Sequence, residues 1–336
     1  MSEKTDVLLI GGGEIEELVS TTAAALDLTV VSTSDYAAAR EAWEGVGAVC
    51  VSQECAKLVA SWALPKRQVI LLGTDEKELA RWSAPLEALV IVLPAGALWL
   101  GSVLDESTSR SGTPVIAVLG GSGGVGASTL AAGLALAASR RGASAALVDL
   151  DPLSGGLDLL LGLERSQGWR WPSLATAAGY IGDLREYLPK IGKTTVVSMA
   201  REEGSQVGAD AFTAILHSLK RTHDLVVVDV GRTLGPSERE AVRLATRRLL
   251  TVVPTVSGAA AAQRLLLGLS TADVELVVRG SGLSASALTE VLGAKVTARI
   301  RDEAGIRSAA ARGVPPSSRG FRRVCDSLLG KNVGAK

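Results

Sequence analysis

Gly120–Thr129 reads GGSGGVGAST, and these ten residues decide the fold. They join an apolar run of strand character, Val115–Leu119, to an uncharged Ala/Leu-rich segment that has helical length and extends to about Arg141. A strand, a glycine loop and a helix in that order suit a phosphate bound on backbone amides. Consecutive glycines turn the chain tightly, and the helix start adds unpaired N–H groups and the positive end of its dipole. The Walker A pattern G-x-x-x-x-G-K-[ST] fits at Gly121 and Gly126, with Ser128 at the hydroxyl position that touches Mg²⁺. Its lysine position holds Ala127, and no charged residue occurs from Ser111 through Ser139. Backbone and Mg²⁺ alone can cradle a nucleotide, but the cation that follows charge onto a transferred phosphoryl group is missing, and no nearby side chain is expected to supply it. A purely structural glycine turn competes with this reading. A dinucleotide loop does not, because the glycine spacing is wrong for it.

Further along the chain, two apolar runs end in acids. Ala145–Val148 leads into Asp149-Leu150-Asp151-Pro152, and Leu225–Val228 leads into Asp229, the Walker B position. Carboxylates at strand ends beside a phosphate loop can hold Mg²⁺ directly or through water. The runs Thr195–Ser198, Leu249–Val253, Leu276–Val278 and Val296–Ile300 add strands. Ala209–Lys220, Ser237–Arg247 and Ala259–Leu269 have helical length, with Ser237 and Glu240 spaced as a capping box.

The same alternation precedes the loop. Val7–Ile10, Leu28–Val31, Ala48–Val51, Val69–Leu72 and Leu89–Leu93 read as strands, with Glu14–Leu26 and Ser34–Trp43 as helices between them. The chain is therefore expected to form two tandem three-layer α/β domains, residues 1–111 and 112–336, the larger with a mostly parallel sheet. Ala88–Leu104 carries no charge over 17 residues, yet Pro94, Gly96 and Gly101 favour a buried strand and then a helix from about Ala97 over a membrane span. Asp105–Thr113 reads as a polar linker. The first domain resembles a degenerate receiver that lacks a receiver's chemistry: Gly11-Gly12-Gly13 replaces the acids after the first strand, the third ends near Val51-Ser52, and Leu93 precedes Pro94. It is read as a docking or dimerisation domain.

A hydrophobic content of 47% excludes a disordered chain. Three cysteines exclude a disulfide framework, no signal peptide precedes the first strand, and the chain is expected in the cytoplasm. The net charge of zero divides unevenly, with 8 Lys/Arg against 16 Asp/Glu in residues 1–111 and the reverse excess beyond them. The basic residues of the second part are scattered, which argues against a nucleic-acid groove. Cys50, Cys55, His217 and His223 lack the spacing of a zinc site, and the histidines are expected at a helix end or on the surface. Trp169 and Trp171 flank Arg170; their i, i+2 spacing places both on one face of an extended segment, or they form a loop that packs against the sheet, internal packing competing with a protein-binding patch. Phe321, Val324, Cys325 and Leu328 form an apolar stripe among arginines. This is read as the last helix of the domain, with a membrane-binding amphipathic helix as the competing reading.

Leu147–Glu164 (LVDLDPLSGGLDLLLGLE), Trp169–Leu174 (WRWPSL), Leu276–Gly280 (LVVRG) and the Ile300–Pro315 region, taken with the loop, resemble the MinD/ParA branch of P-loop NTPases. Within it they resemble the CpaE-like actinobacterial septum site-determining proteins (Ssd), over nearly the whole chain. The resemblance implies an ATP- and Mg²⁺-binding protein that positions or controls septum formation or Flp/Tad-type pilus and secretion machinery. It also implies protein partners, self-association and recruitment to membrane, pole or septum. Carried over residue by residue, Gly121, Gly123, Gly124 and Gly126 cradle phosphates, Ser128 touches Mg²⁺ and Thr129 reaches the α phosphate. Asp149 or Asp151 orients water or serves a dimer switch, and Asp229 binds Mg²⁺ through water. Arg279 stands where relatives present an asparagine to adenine. Such relatives also carry a lysine early in the loop. Here the two lysine places are Ser122 and Ala127, so a regulatory or scaffolding role with weak or absent hydrolysis is expected. A slow Mg²⁺-dependent ATPase and a nucleotide-free adaptor are the alternatives.

Overall fold

The structure, a computed structural model, describes residues 5–26, 28–62, 64–65, 69–108, 113–179, 181–201, 206–269, 273–330 and 333. Two compact units divide the chain: residues 1–111 with 178–180, and the remainder of 112–336.

The first unit has five strands, β1 (Val7–Ile10), β2 (Val30–Thr33), β3 (Ala48–Ser52), β4 (Val69–Gly73) and β5 (Ala88–Val92). They form one parallel sheet in the order β2-β1-β3-β4-β5. β1, β3 and β4 are buried along their whole length, which is why they are unbroken apolar runs. The period of two sends alternate residues of β1 to opposite faces: Leu8 and Ile10 pack with Trp43 and Leu79, Val7 and Leu9 with Val19 and Leu100. The uncharged stretch resolves into β5 and the helix Ala97–Thr108. Among the described residues no helix is long and apolar enough to cross a membrane. That helix takes up the first four residues of the expected linker, since nothing between Asp105 and Thr108 breaks it; residues 109–112 lie outside the described residues. Where a receiver keeps its acids, β3 ends in buried Ser52, so close to Gly11 that a Cβ there would lie 2.5 Å from its hydroxyl.

The second unit contains β6 (Val115–Gly120), β7 (Ala145–Asp149), β8 (Lys190–Ile191), β9 (Thr194–Val197), β10 (Leu225–Val230), β11 (Arg247–Val252), β12 (Glu275–Arg279) and β13 (Lys295–Ile300). Their order is β13-β12-β11-β6-β10-β7-β9-β8, parallel except for β8, a two-residue strand that no apolar run announced. In this order β6, β10 and β7 are neighbours, so the glycine loop, Asp229 and Asp149 leave adjacent strand ends at the carboxyl edge of the sheet. Ligands of open α/β sheets bind along that edge.

Two expectations change and a third, the C-terminal helix as the last helix of the domain, holds. The helix at 237 begins one residue earlier: Gly235 is its N-cap and Pro236 occupies the first turn, where its fixed φ suits a helix start. Ser237 then donates to Glu238, while Glu240 accepts from Arg243, so no capping box forms. His217 and His223 are both buried, and His223 bonds the Thr195 hydroxyl at 2.8 Å. His223 is the C-cap of the Ala209–Thr222 helix, as expected of a helix-end histidine, but neither histidine lies on the surface, because the last turns of that helix pack into the core. The C-terminal helix Arg319–Leu329 buries Phe321, Cys325, Leu328 and Leu329 against the Ala127–Arg140 helix, leaving Arg319, Arg322 and Arg323 to solvent. Its apolar stripe is part of the core.

Candidate functional site

The loop between β6 and the Ala127–Arg140 helix borders a cavity of about 690 Å³, within the range of small-molecule sites. Gly120, Ser122–Thr129, Asp151, Leu153, Asp229 and Arg279 line it. Gly124 and Gly126 adopt φ of 67° and 93°, the left-handed region that other residues enter only under strain. Gly126 is also the N-cap of the helix, so these conformations wrap the loop about the helix start, where the amide groups have no helical partner. Gly121 has another use. Its N–H donates to Thr251 O at 2.9 Å, and a Cβ there would come 3.0 Å from the Ala262 methyl. It does not line the cavity; it lets the loop lie against the Val256–Leu269 helix.

Asp149 and Asp229 stand side by side in the β7–β10 register, both essentially inaccessible to water. Burial pushes the Asp149 carboxyl up to about 6, against the backbone N–H groups that hold it ionised. Burial and then the Asp149 charge push Asp229 well above the carboxylate range, and the Ser128 hydroxyl opposes them in part. The two acids nevertheless differ in kind. Asp149 accepts from the amides of Asp151, Leu157 and Met199 at 3.1, 3.0 and 3.4 Å, and so organises the chain that follows β7. Asp229 Oδ2 is buried without a hydrogen-bond partner, a costly state for a carboxylate oxygen. A divalent cation beside Ser128 and Asp229 would satisfy it and favour ionisation of both acids, so the donor set fits Mg²⁺. Asp151 lines the cavity, while Asp149 lies behind it.

Arginines, absent from the loop, reach the cavity from elsewhere, contrary to the expectation of no neighbouring cation. Arg232, Arg279 and Arg307 all line it. Arg279 Nη1 donates to Gly124 O at 3.2 Å and Val125 O at 3.0 Å, and Nη2 to Asp302 at 3.3 Å, so this guanidinium braces the loop through its carbonyls. The signal for Arg232 was its place three residues after Asp229. No local signal marks Arg307.

The DLDP-x-x-GG-x-DLLLG block contributes a support that sequence reading passed over. Asp158 is buried, and Arg170 and Arg201 approach its carboxylate at 3.3 and 3.2 Å. The two tryptophans separate: Trp171 is buried and donates its indole N–H to Asp149 O at 2.6 Å, whereas Trp169 is half-exposed and stacks on Tyr187 at 4.5 Å. Period-two placement fails because Trp171 starts the short helix Trp171–Leu174. Among the described residues no group of three or more His, Cys, Asp or Glu is placed to hold a metal by itself, so any Mg²⁺ here would take further ligands from nucleotide and water.

A family model for the Rv3660c-like, CheY-like N-terminal domain matches residues 9–114, and one for the cellulose biosynthesis protein BcsQ matches residues 113–278. Rv3660c of Mycobacterium tuberculosis (strain H37Rv) is 33% identical over 296 residues, 83% of each chain. Among solved structures, a ParA family ATPase from Chlorobium tepidum aligns with a TM-score of 0.58 at 17% identity, over 64% of this chain and 97% of that one. The septum site-determining protein MinD of Pyrococcus horikoshii, complexed with Mg-ADP, aligns with a TM-score of 0.55 at 21% identity, over 66% of this chain and 99% of that one. The fold is thus a CheY-like domain followed by a MinD/ParA-like P-loop domain.

Proposed function

The chain belongs to the family of the mycobacterial protein Rv3660c, and from that premise we propose that it is a regulatory or scaffolding protein that binds ATP with Mg²⁺ and hydrolyses it slowly or not at all. One observation carries this reading: the partnerless buried Oδ2 of Asp229 stands by Ser128 at the mouth of a glycine loop whose left-handed residues wrap a helix start. The residues 120–129 would take the phosphates, Ser128 and Asp229 the Mg²⁺, and Asp151 a water or a dimer contact. Bound Mg²⁺ supplies charge neutralisation at the phosphates. Ala127 and Ser122 in the lysine places favour binding over turnover. Self-association and the choice of a septum, pilus or secretion partner follow the CpaE-like resemblance, with residues 1–111 as the docking domain and membrane, pole or septum as destinations. Calorimetric titration of ATP into the full chain, with and without Mg²⁺, tests the reading. Mg²⁺-dependent binding with turnover far below the ~1–100 s⁻¹ of kinases supports it. No heat at millimolar ATP refutes it in favour of a nucleotide-free adaptor. Robust turnover, lost in Asp229→Asn, refutes it in favour of a genuine ATPase.

A further inference from the structure

We propose that Arg232 supplies the phosphate-facing positive charge that Ala127 and Ser122 do not, reaching the outer phosphates of a polyphosphate ligand from the segment after β10. The inference rests on the nucleotide reading for the identity of its ligand, and on the geometry of Arg232 for everything else.

Three arginines line the cavity, and two are committed. Arg279 is bonded to two loop carbonyls and Asp302, and Arg307 pairs with the same Asp302 at 3.5 Å. Arg232 makes no hydrogen bond or ion pair with any described residue, although Asp151 and Asp229 border the same cavity. Its guanidinium lies over the loop: Nη2 is 3.4 Å and Cζ 3.8 Å from the point where a Cβ on Gly123 would stand. Gly123 leaves that space empty, so an anion seated on the loop has the guanidinium within reach. The approach is fixed by the residue before. A Cβ on Gly231 would come 2.9 Å from Asp151 Cα and 3.0 Å from Leu150 O, so only glycine lets the chain after β10 pass so close to the chain after β7. The path sets Arg232 beside the glycines and Asp229 beside Ser128, one segment thus delivering both a cation and a Mg²⁺ carboxylate.

The chemistry is suited to phosphate. A guanidinium presents its donors as a planar fork and gives up less hydration than an ammonium. An unpaired arginine on an open surface gains little from staying in place, whereas one over an anion-binding loop gains a charge-assisted bond for each phosphate oxygen it meets.

The test titrates the full chain and its Arg232→Ala and Arg232→Lys variants with ATP, AMP and inorganic tripolyphosphate, each with Mg²⁺, with circular dichroism melts to confirm folding. Arg232→Ala should weaken ATP and tripolyphosphate by about tenfold to a hundredfold, the range of one or two charge-assisted bonds, and leave AMP nearly unchanged. Arg232→Lys should recover part of the loss. Equal affinities for wild type and Arg232→Ala, or an equal loss for AMP and ATP, overturn the inference and leave the nucleotide reading standing. Arg232-dependent binding of tripolyphosphate without binding of ATP sustains the inference and refutes the nucleotide reading. A wild type that binds none of the three overturns both.

Discussion

Gly133 sits in the middle of the helix that begins at the phosphate loop, where glycine is a poor helix former. In a free helix, Gly133→Ala would stabilise by about 1 kcal/mol. Here a Cβ would come 2.4 and 2.5 Å from Cε1 and Cζ of Phe321 and 2.8 Å from Cys325 Sγ, against ordinary carbon contacts of about 3.5–4.0 Å. Phe321 is 2% exposed and packed within the core that this helix shares. Overpacking of that kind costs about 1–3 kcal/mol. With two ring atoms and a sulfur all overlapped by roughly an ångström, the upper figure applies, leaving a net loss of about 2 kcal/mol. For a unit of this size the melting temperature should fall by about 4–8 °C. The assay is thermal unfolding of wild type, Gly133→Ala, Phe321→Leu and the double variant. If the clash is the cause, the double variant loses at least about 1 kcal/mol less than the sum of the singles. A Gly133→Ala protein that melts above wild type would rule out the clash, and with it the seating of the C-terminal helix on the phosphate-loop helix.

Gly126→Val should abolish ATP binding while the fold persists, because a branched residue at φ 93° is strained and its Cβ would meet Arg279 Nη1 at 2.7 Å; calorimetry with retained circular dichroism checks it. Asp149, raised from 3.8 to about 6, binds a proton in the folded chain that it has lost in the unfolded one, so stability without Mg²⁺ should fall by about 3 kcal/mol as pH rises from near 4 to above 6. Denaturant titrations at pH 4 and pH 8 capture most of it, and Mg²⁺ should restore stability at pH 8 in the wild type but not in Asp229→Asn; a flat profile contradicts the paired burial. Asp158→Ala leaves Arg170, with a side chain only 16% exposed, without its carboxylate and should cost about 3 kcal/mol. A change under 0.5 kcal/mol in urea unfolding would show that the arginines find other partners.

The sheet was legible in the residues alone. Short Val/Ile/Leu runs, a glycine loop between one of them and an uncharged helix, and acids at the ends of two others are local signals, because strand burial, loop conformation and helix start depend on adjacent residues. They placed all strands but β8, which is two residues long and held by its antiparallel pairing with β9. They also named most of what lines the cavity, since strand-end residues of a parallel sheet gather along one edge. What meets there depends on the packing of the folded chain. Arg279 reaches the carbonyls of Gly124 and Val125 across 155 and 154 positions of sequence because β12 lies two strands from β6. Asp149 and Asp229 differ in role because one faces backbone amides and the other a void, which strand spacing cannot express. Gly121 faces a helix rather than a phosphate, Trp169 and Trp171 part, and both histidines lie inside. Each of these depends on which side of a close-packed layer a side chain falls, and that is fixed by the neighbours the strand order brings, not by the residues next to it in the chain.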